Sequence, residues 1–131
     1  MRVVFDTNIY VSALVIPGSQ AEKAVMRILD SDDTLLLSKP ILDELLSTLA
    51  GKFGRDPEAL SQVAVVLTDM AEMVKPKGRV EVFEDDPDNR ILECAESGHA
   101  DAIVTGDKEM LLLKQHRGIP LISLRDYLAK K

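Results

Sequence analysis

The sequence has a single cysteine, Cys94, among its 131 residues. An internal disulfide is therefore excluded, and one free thiol suits a reducing cytoplasm, where we expect the protein to act. Cys94 follows Ile91 and Leu92 in a helical pattern, which predicts a small core residue. The sequence also lacks an apolar run long enough to cross a bilayer, and Asp6 and Asn8 interrupt the stretch where a secretory signal would be apolar. We therefore expect no membrane association.

A surplus of basic residues is missing as well. Lys and Arg number 16 against 22 Asp and Glu, which gives a formal net charge of −6. An extended, non-specific nucleic-acid surface is normally basic, so the charge balance argues against that class of protein. It still permits a nucleic-acid enzyme whose acids gather at one metal site. The two histidines, His99 and His116, are not spaced as metal ligands and are expected at the surface.

The sequence contains no internal repeat, low-complexity tract or linker, and it predicts one domain over residues 1–131. Short apolar runs alternate with helical patterns along the chain. Strands are predicted at residues 3–5, 34–37, 79–83, 102–104 and 119–122. Helices are predicted over residues 21–29, from Pro40 to near Gly51, from Pro57 to about Ala71, from Asp88 to Ser97, and at the C-terminus. Strands separated by helices need crossover connections, so we expect a three-layer α/β/α fold with a mainly parallel central sheet.

Three acids fall where such a sheet binds ligands, at the carboxyl ends of its strands. Asp6 ends the first strand, Asp107 follows the strand at residues 102–104, and Asp88 begins the helix after the third strand region. Asp88 shares a face with the apolar residues of its helix, so it is predicted to point toward the sheet. Taken singly, each acid has an ordinary interpretation as a helix cap or a turn residue. Taken together, they converge on one edge of one sheet.

The helix that begins at Pro40 offers a further acid at this edge. Asp43 and Glu44 each lie roughly 130° from the centre of its apolar face, on opposite flanks, so the helical geometry leaves both candidates open. Clustered carboxylates repel one another and raise their pKa values, and such a cluster is most simply maintained by a bound cation. Ligands that are all oxygen favour Mg²⁺ or Mn²⁺ over zinc.

Four stretches of the sequence carry a family resemblance. VVFDTNIYVSAL, ILDELLSTL, DNRILECAESGHADAIVTGD and GIPLISLRDYL follow one another in order over nearly the whole chain. Together they resemble the PIN-domain family, in particular the toxin components of toxin–antitoxin pairs. A single apolar-Asp-Thr-Asn motif would be weak, but four motifs in sequence are specific.

The resemblance implies a Mg²⁺- or Mn²⁺-dependent endoribonuclease that hydrolyses RNA with a metal-activated water. It also implies a cognate antitoxin protein as partner and allows a homodimer. Carried over by position, it assigns the catalytic and metal-binding roles to four acids and a supporting role to two polar residues: Asp6, Glu44, Asp88 and Asp107, with Asn8 and Thr105 in support. The proline beside Asp88 leaves Asp86 as an alternative third acid. Four basic residues are candidates for contacts to the RNA phosphates, and a solvated surface position is the simpler interpretation of each: Arg55, Arg90, Lys108 and Lys114.

Two other functions compete with this interpretation. Phosphatases of the haloacid-dehalogenase type also place an aspartate after the first strand, in the pattern Asp-x-Asp-x-Thr/Val. Here Asn8 stands at the second aspartate and Tyr10 at the final position, so both required side chains are missing. The other alternative is a catalytically inactive PIN domain that serves only as a binding module.

Overall fold

The computed structural model describes residues 1–130, which form seven helices and six strands. The strands are β1 (Arg2–Phe5), β2 (Thr34–Ser38), β3 (Ala71–Val74), β4 (Ala102–Val104), β5 (Gln115–His116) and β6 (Ile119–Ile122). The helices are α1 (Thr7–Val15), α2 (Gln20–Asp30), α3 (Lys39–Phe53), α4 (Pro57–Met70), α5 (Asp86–Ser97), α6 (Lys108–Leu112) and α7 (Leu124–Ala129). A mostly parallel sheet flanked by helices confirms the predicted fold class. Within residues 1–130, no helix is both long and apolar enough to span a bilayer.

The strands are ordered β3-β2-β1-β4-β6-β5, and every neighbouring pair is parallel except β5 and β6. From β1 the chain moves outward through β2 to β3, then returns to add β4 on the other side of β1. The order of the strands thus reverses between β1 and β4, where Phe5 lies opposite Val104. In open parallel sheets, a crevice forms at such a reversal, outside the carboxyl ends of the strands.

The core is built around the central strands, which are apolar on both faces, as is typical of parallel sheets covered by helices. Helix α5 packs on β1, β2 and β4. Cys94 lies on α5 and is completely buried, which confirms its predicted place in the core. The Phe5 ring lies 5.9 Å from the Tyr10 ring and 5.7 Å from the Tyr127 ring, between centroids, so aromatic contacts tie α1 and α7 to the first strand.

Several short elements were not predicted from the sequence. Helix α1 follows Asp6 directly, but its apolar residues are not confined to one face, so the helical period is weak. Helix α6 and strand β5 are too short to leave a periodic signal. The predicted inward position of Ala71 on a helix is wrong, because α4 ends at Met70 and Ala71 begins strand β3. His99 is exposed as predicted, whereas His116 is half-buried, with Nε2 3.1 Å from a carboxylate oxygen of Glu96.

The strand predicted at residues 79–83 is wrong. The outer strand of the sheet is β3, which pairs with β2 from Leu35 opposite Ala71 to Ser38 opposite Val74. Residues 79–83 instead run beside α5, where side chains of the helix bind their backbone groups. Alternating apolar and polar residues predict an extended chain, and the segment satisfies its backbone hydrogen bonds without joining the sheet.

Three polar residues spaced four apart on α5 provide these bonds, and we call them the polar row of α5: Asn89, Glu93 and Ser97. Ser97 Oγ accepts from the amide of Lys77 at 3.0 Å, and Glu93 Oε2 from the amide of Val80 at 2.8 Å. Asn89 Oδ1 accepts from the amides of Val82 at 3.0 Å and Phe83 at 2.8 Å. Residues four apart lie on one face of a helix, so the row holds the segment along the length of α5.

Two glycines, one within a helix and one directly after a helix, should respond oppositely to replacement by alanine. At Gly98, which directly follows α5, an added Cβ would lie 3.0 Å from the Cys94 carbonyl oxygen and from methyl groups of Leu36 and Val74. We expect Gly98→Ala to lower the free energy of unfolding by about 1–2 kcal/mol through overpacking. Gly51 in α3 has open space at its Cβ, so Gly51→Ala should raise the free energy of unfolding by about 0.5–1 kcal/mol. Urea denaturation of both variants measures the difference, and a Gly98→Ala protein as stable as the wild type would contradict the packing described.

Candidate functional site

Asp6 lies at the carboxyl end of β1, beside the reversal in strand order, and is 4% exposed. It is the N-cap of α1: Oδ1 accepts from the amide of Asn8 at 2.7 Å. Its other oxygen, Oδ2, accepts from the Thr105 hydroxyl at 2.6 Å. Burial raises the pKa of Asp6 even though both hydrogen bonds lower it. Each carboxylate oxygen keeps lone-pair capacity for a further partner, so capping does not exhaust this side chain.

Thr105 connects the ends of the two central strands. It directly follows β4 and is completely buried. Its hydroxyl donates to Asp6 and accepts from the backbone amide of Asp107 at 3.0 Å. A hydroxyl can donate and accept at once, so a single side chain fixes both acids. Asp107 in turn caps α6, with Oδ1 accepting from the amides of Glu109 at 2.8 Å and Met110 at 3.3 Å.

Asp88 is half-buried in the first turn of α5, as predicted. Burial is the main cause that raises the pKa of its carboxyl to about 7, and the charges of four nearby acids add to the shift: Asp85, Asp6, Asp107 and Glu109, in that order. The structure therefore brings three of the predicted site acids within electrostatic reach of one another.

Asp85 and Glu109, two of the acids whose charges raise the pKa of Asp88, were not among the predicted site residues. Asp85 is exposed and forms the N-cap of α5, but its side chain makes no capping hydrogen bond. It lies three residues before Asp88, the spacing of neighbours on one helical turn, and this is the signal that could have found it. Glu109 follows Asp107 by two residues and is exposed at the start of α6.

Glu44 is set apart from this group. It lines a cleft of about 300 Å³ together with Thr7, Pro87 and Arg90. A second cleft of about 290 Å³ is lined by Asn8 and Asp107, among others. Thr7 and Asn8 are consecutive, so the chain just after Asp6 separates the Glu44 cleft from the Asp107 cleft. Glu44 is not among the main charges that raise the pKa of Asp88.

The two alternatives to the predicted acids are engaged in ion pairs. Asp43 is exposed and lies 2.8 Å from the Lys39 ammonium, one helical turn away. Asp86 is exposed, lies 3.2 Å from Arg90, and faces the Glu44 cleft. The charge of Asp6 raises the pKa of the predicted acid, Asp88.

Of the four basic residues considered for phosphate contacts, Arg90 fits neither of its predicted interpretations. Its guanidinium is nearly buried and binds Glu93 at 2.9 Å, the Val80 carbonyl at 3.2 Å and Asp86. It is therefore an internal partner of the segment beside α5 rather than a solvated charge. The other three, Arg55, Lys108 and Lys114, are exposed.

The donor atoms of the site are carboxylate and hydroxyl oxygens, which is the chemistry that hard divalent cations prefer. As the side chains are placed, no three His, Cys, Asp or Glu side chains within residues 1–130 converge closely enough to hold a metal ion. A cation would therefore require exposed carboxylates to rotate toward it. The raised pKa values of Asp6 and Asp88 show that the carboxylates carry an electrostatic penalty that a cation would relieve. The residues fit a Mg²⁺ or Mn²⁺ ion in chemistry and charge.

Comparisons with known proteins agree with the fold. The sequence model of the PIN domain matches residues 2–109. The uncharacterised protein MJ1680 of Methanocaldococcus jannaschii is 26% identical over 118 residues, which span 87% of this chain and 76% of the relative. Two solved structures share the fold. VapBC2 from Rickettsia felis, solved bound to a DNA fragment of its promoter, has a TM-score of 0.67 at 16% identity and covers 94% of this chain and 98% of its own. VapBC-1 from nontypeable Haemophilus influenzae has a TM-score of 0.66 at 18% identity, covering 95% and 99%.

The pKa of Asp88 predicts how stability depends on pH. Its value is about 7 in the folded protein against an ordinary 3.8, so the native state binds this proton more tightly than the unfolded chain does. The resulting stabilisation is complete below about pH 4 and is lost as the pH rises through about 7. Without divalent cations, the wild type should be less stable at about pH 8 than at about pH 5. Asp88→Asn should reduce this difference by about 1 kcal/mol, a value discounted for solvent screening. Urea unfolding of both proteins in EDTA at the two pH values measures these free energies. If the free energy of unfolding changed equally with pH in both proteins, the raised pKa of Asp88 would be contradicted.

Proposed function

Because the chain belongs to the PIN-domain family, we propose that it is a Mg²⁺- or Mn²⁺-dependent endoribonuclease and the toxin of a toxin–antitoxin pair. The observation that supports this proposal is the position of Asp6 and Asp107 after the adjacent strands β1 and β4, with Asp88 close enough for their charges to raise its pKa. Family membership also argues against the haloacid-dehalogenase alternative. A PIN domain that only binds its partner remains the competing function, and the cleavage experiments below separate the two.

Four acids would hold the cation in this proposal: Asp6, Asp88 and Asp107 at the reversal, with Glu44 reaching in from its cleft. When bound there, divalent metal would supply an activated water for attack on the phosphodiester and would stabilise the leaving oxygen. Glu44 has the longest side chain of the four and is half-buried, so it has the reach to turn toward the shared edge. Asp85 is a further exposed carboxylate on the same side of α5.

The chain itself contributes orientation and proton release. Thr105 fixes one oxygen of Asp6 and the backbone of Asp107, so two of the acids are positioned before any ligand arrives. Asp88, with a pKa of about 7, is partly protonated at neutral pH and would give up its proton if it held a cation. Lys108 is exposed next to Asp107 and is the nearest basic residue in sequence for an RNA phosphate.

The proposed partner is a cognate antitoxin, as the resemblance to toxin components implies. The two structural neighbours support this, since each is a VapBC assembly. The family also allows a homodimer, which would not alter the roles assigned to the acids within one chain.

Replacing Asp6 tests the site directly. Asp6→Asn keeps the side-chain shape and one oxygen for the Asn8 amide but removes the charge, so metal-dependent RNA cleavage should fall by at least about a hundredfold with the fold intact. The matched control is Asp56→Asn, since Asp56 also caps a helix, α4, with a 2.9 Å bond to the Ala59 amide. Cleavage of a labelled RNA with Mn²⁺ and circular dichroism measure both effects. Wild-type cleavage by the Asp6→Asn protein, with contaminating nuclease excluded, would remove Asp6 from the site.

The adjacent acids of α3 provide a sharper comparison. Both acids line the cleft beside Thr7, but Glu44 is the half-buried one, so Glu44→Gln should abolish metal-dependent cleavage. Asp43→Asn should leave cleavage nearly unchanged, because Asp43 is exposed and paired with Lys39. Rates for the two variants are measured at the same Mn²⁺ concentration. The reverse ranking would mean that α3 presents its other flank to the site, and Glu44 would then have no role.

A further inference from the structure

The loop that carries Asp88 is closed at its base by one side chain. Asn89 Nδ2 donates to the Phe83 carbonyl at 2.8 Å, and Asn89 Oδ1 accepts from the Phe83 amide at 2.8 Å. The same oxygen accepts from the Val82 amide at 3.0 Å. Residues 83 and 89 are thereby joined, and the residues between them, 84–88, form a closed loop that includes the first turn of α5. We call this set of three hydrogen bonds the Asn89 closure.

Electrostatic repulsion favours opening of this loop. Four of its five residues are acidic: Glu84, Asp85, Asp86 and Asp88. Like charges this close repel, and the repulsion favours a more extended chain. A side chain that closes such a loop must both donate and accept without adding charge, and among side chains of this length only the asparagine amide does so. Asn89 is 2% exposed, so water competes poorly for these bonds.

We propose that Asn89 is a positioning residue of the site: by closing the loop of residues 84–88, it holds Asp88 and Asp85 toward Asp6. Asn89 touches neither the cation nor the RNA and acts through Asp88. The inference rests on the proposed metal site and adds to it a residue that had no assigned role. It also accounts for the burial of a neutral amide beside a run of acids.

The rest of the segment is held independently of Asn89. Glu93 binds the Val80 amide, Ser97 binds the Lys77 amide, and Arg90 binds the Val80 carbonyl. Losing the amide of Asn89 should therefore free the base of the loop and leave residues 77–80 in place. Because the expected change is confined to the loop, a positioning role can be distinguished from a general loss of folding.

The first test is the affinity of the metal-free protein for Mn²⁺, measured by calorimetry without RNA. Asn89→Ala should weaken binding by about tenfold or more, as is typical when a partner that orients metal ligands is removed. Tyr127→Phe is the matched control, because it removes a buried residue's 2.7 Å bond to Asp33 at the opposite edge of the sheet. Its Mn²⁺ affinity should equal that of the wild type. Asp88→Asn reports whether the acids bind the cation at all.

The outcomes distinguish the two proposals. If Asp88→Asn binds Mn²⁺ as the wild type does, the proposed metal site fails and the role of Asn89 fails with it. If Asp88→Asn loses binding while Asn89→Ala keeps it, the metal site stands and the positioning role is overturned. An equal loss of Mn²⁺ affinity in Asn89→Ala and Tyr127→Phe would also overturn the positioning role, because the loss would then result from lower stability alone.

A second measurement needs no variant and decides the question even if Asn89→Ala does not fold. Coupling between two sites is reciprocal, so a closure that favours Mn²⁺ binding must itself be favoured by Mn²⁺. Hydrogen exchange at the Val82 and Phe83 amides of the wild type should slow when Mn²⁺ is added. The control is the Gly118 amide, which is also held by a side chain, with 2.7 Å to Gln115 Oε1, but at the other edge of the sheet. Unchanged exchange at Val82 and Phe83 under saturating Mn²⁺ would overturn the proposal.

Discussion

The hydrogen bond from Thr105 to Asp6 joins two residues that are 99 positions apart in the chain. It exists only because β1 and β4 are adjacent, and they are adjacent because the chain returns across the sheet after forming β2 and β3. Every other feature of the site is arranged around this bond: α1 starts at Asp6, α6 starts at Asp107, and the two clefts open on either side. The site is therefore a product of the whole topology rather than of any one local motif.

The same arrangement explains why the acids are electrostatically unusual. The last residues of the strands that end at the site, 3–5 and 102–104, are apolar and completely buried, so the carboxylates beyond them lie against a medium of low polarity. Hydrogen bonds to Asp6 offset part of this effect, whereas Asp88 has no comparable donors and shows the larger shift. The fold thus places mutually repelling carboxylates at one edge of the sheet, where they can attract a cation and be neutralised by it.

The sequence predicted those parts of the molecule that depend on local pattern. Buried parallel strands are continuous apolar runs, and an acid directly after such a run is conspicuous, so Asp6 and Asp107 were placed at the sheet edge correctly. The segment at residues 79–83 was misassigned because alternation indicates an extended chain but not its partner, and the partner proved to be the polar row of α5. Asp85 was missed although its spacing of three residues from Asp88 marks it as a neighbour on one helical turn. The separate cleft of Glu44 depends on how two helices face each other across the sheet edge, and no local pattern contains that information. The metal-binding role of the four acids remains a prediction.

The polar row of α5 also limits how the length of this part of the chain can vary. Surface connections usually tolerate insertions and deletions, because their backbone is solvated and few contacts depend on their length. Residues 77–83 are different, since three successive attachments on one helix face fix the number of residues between them. One residue more or less would move every following amide off its partner and shift the acids beyond it. Among relatives that keep Asn89, Glu93 and Ser97, this irregular stretch should therefore show the constant length that is otherwise expected of a helix or a strand.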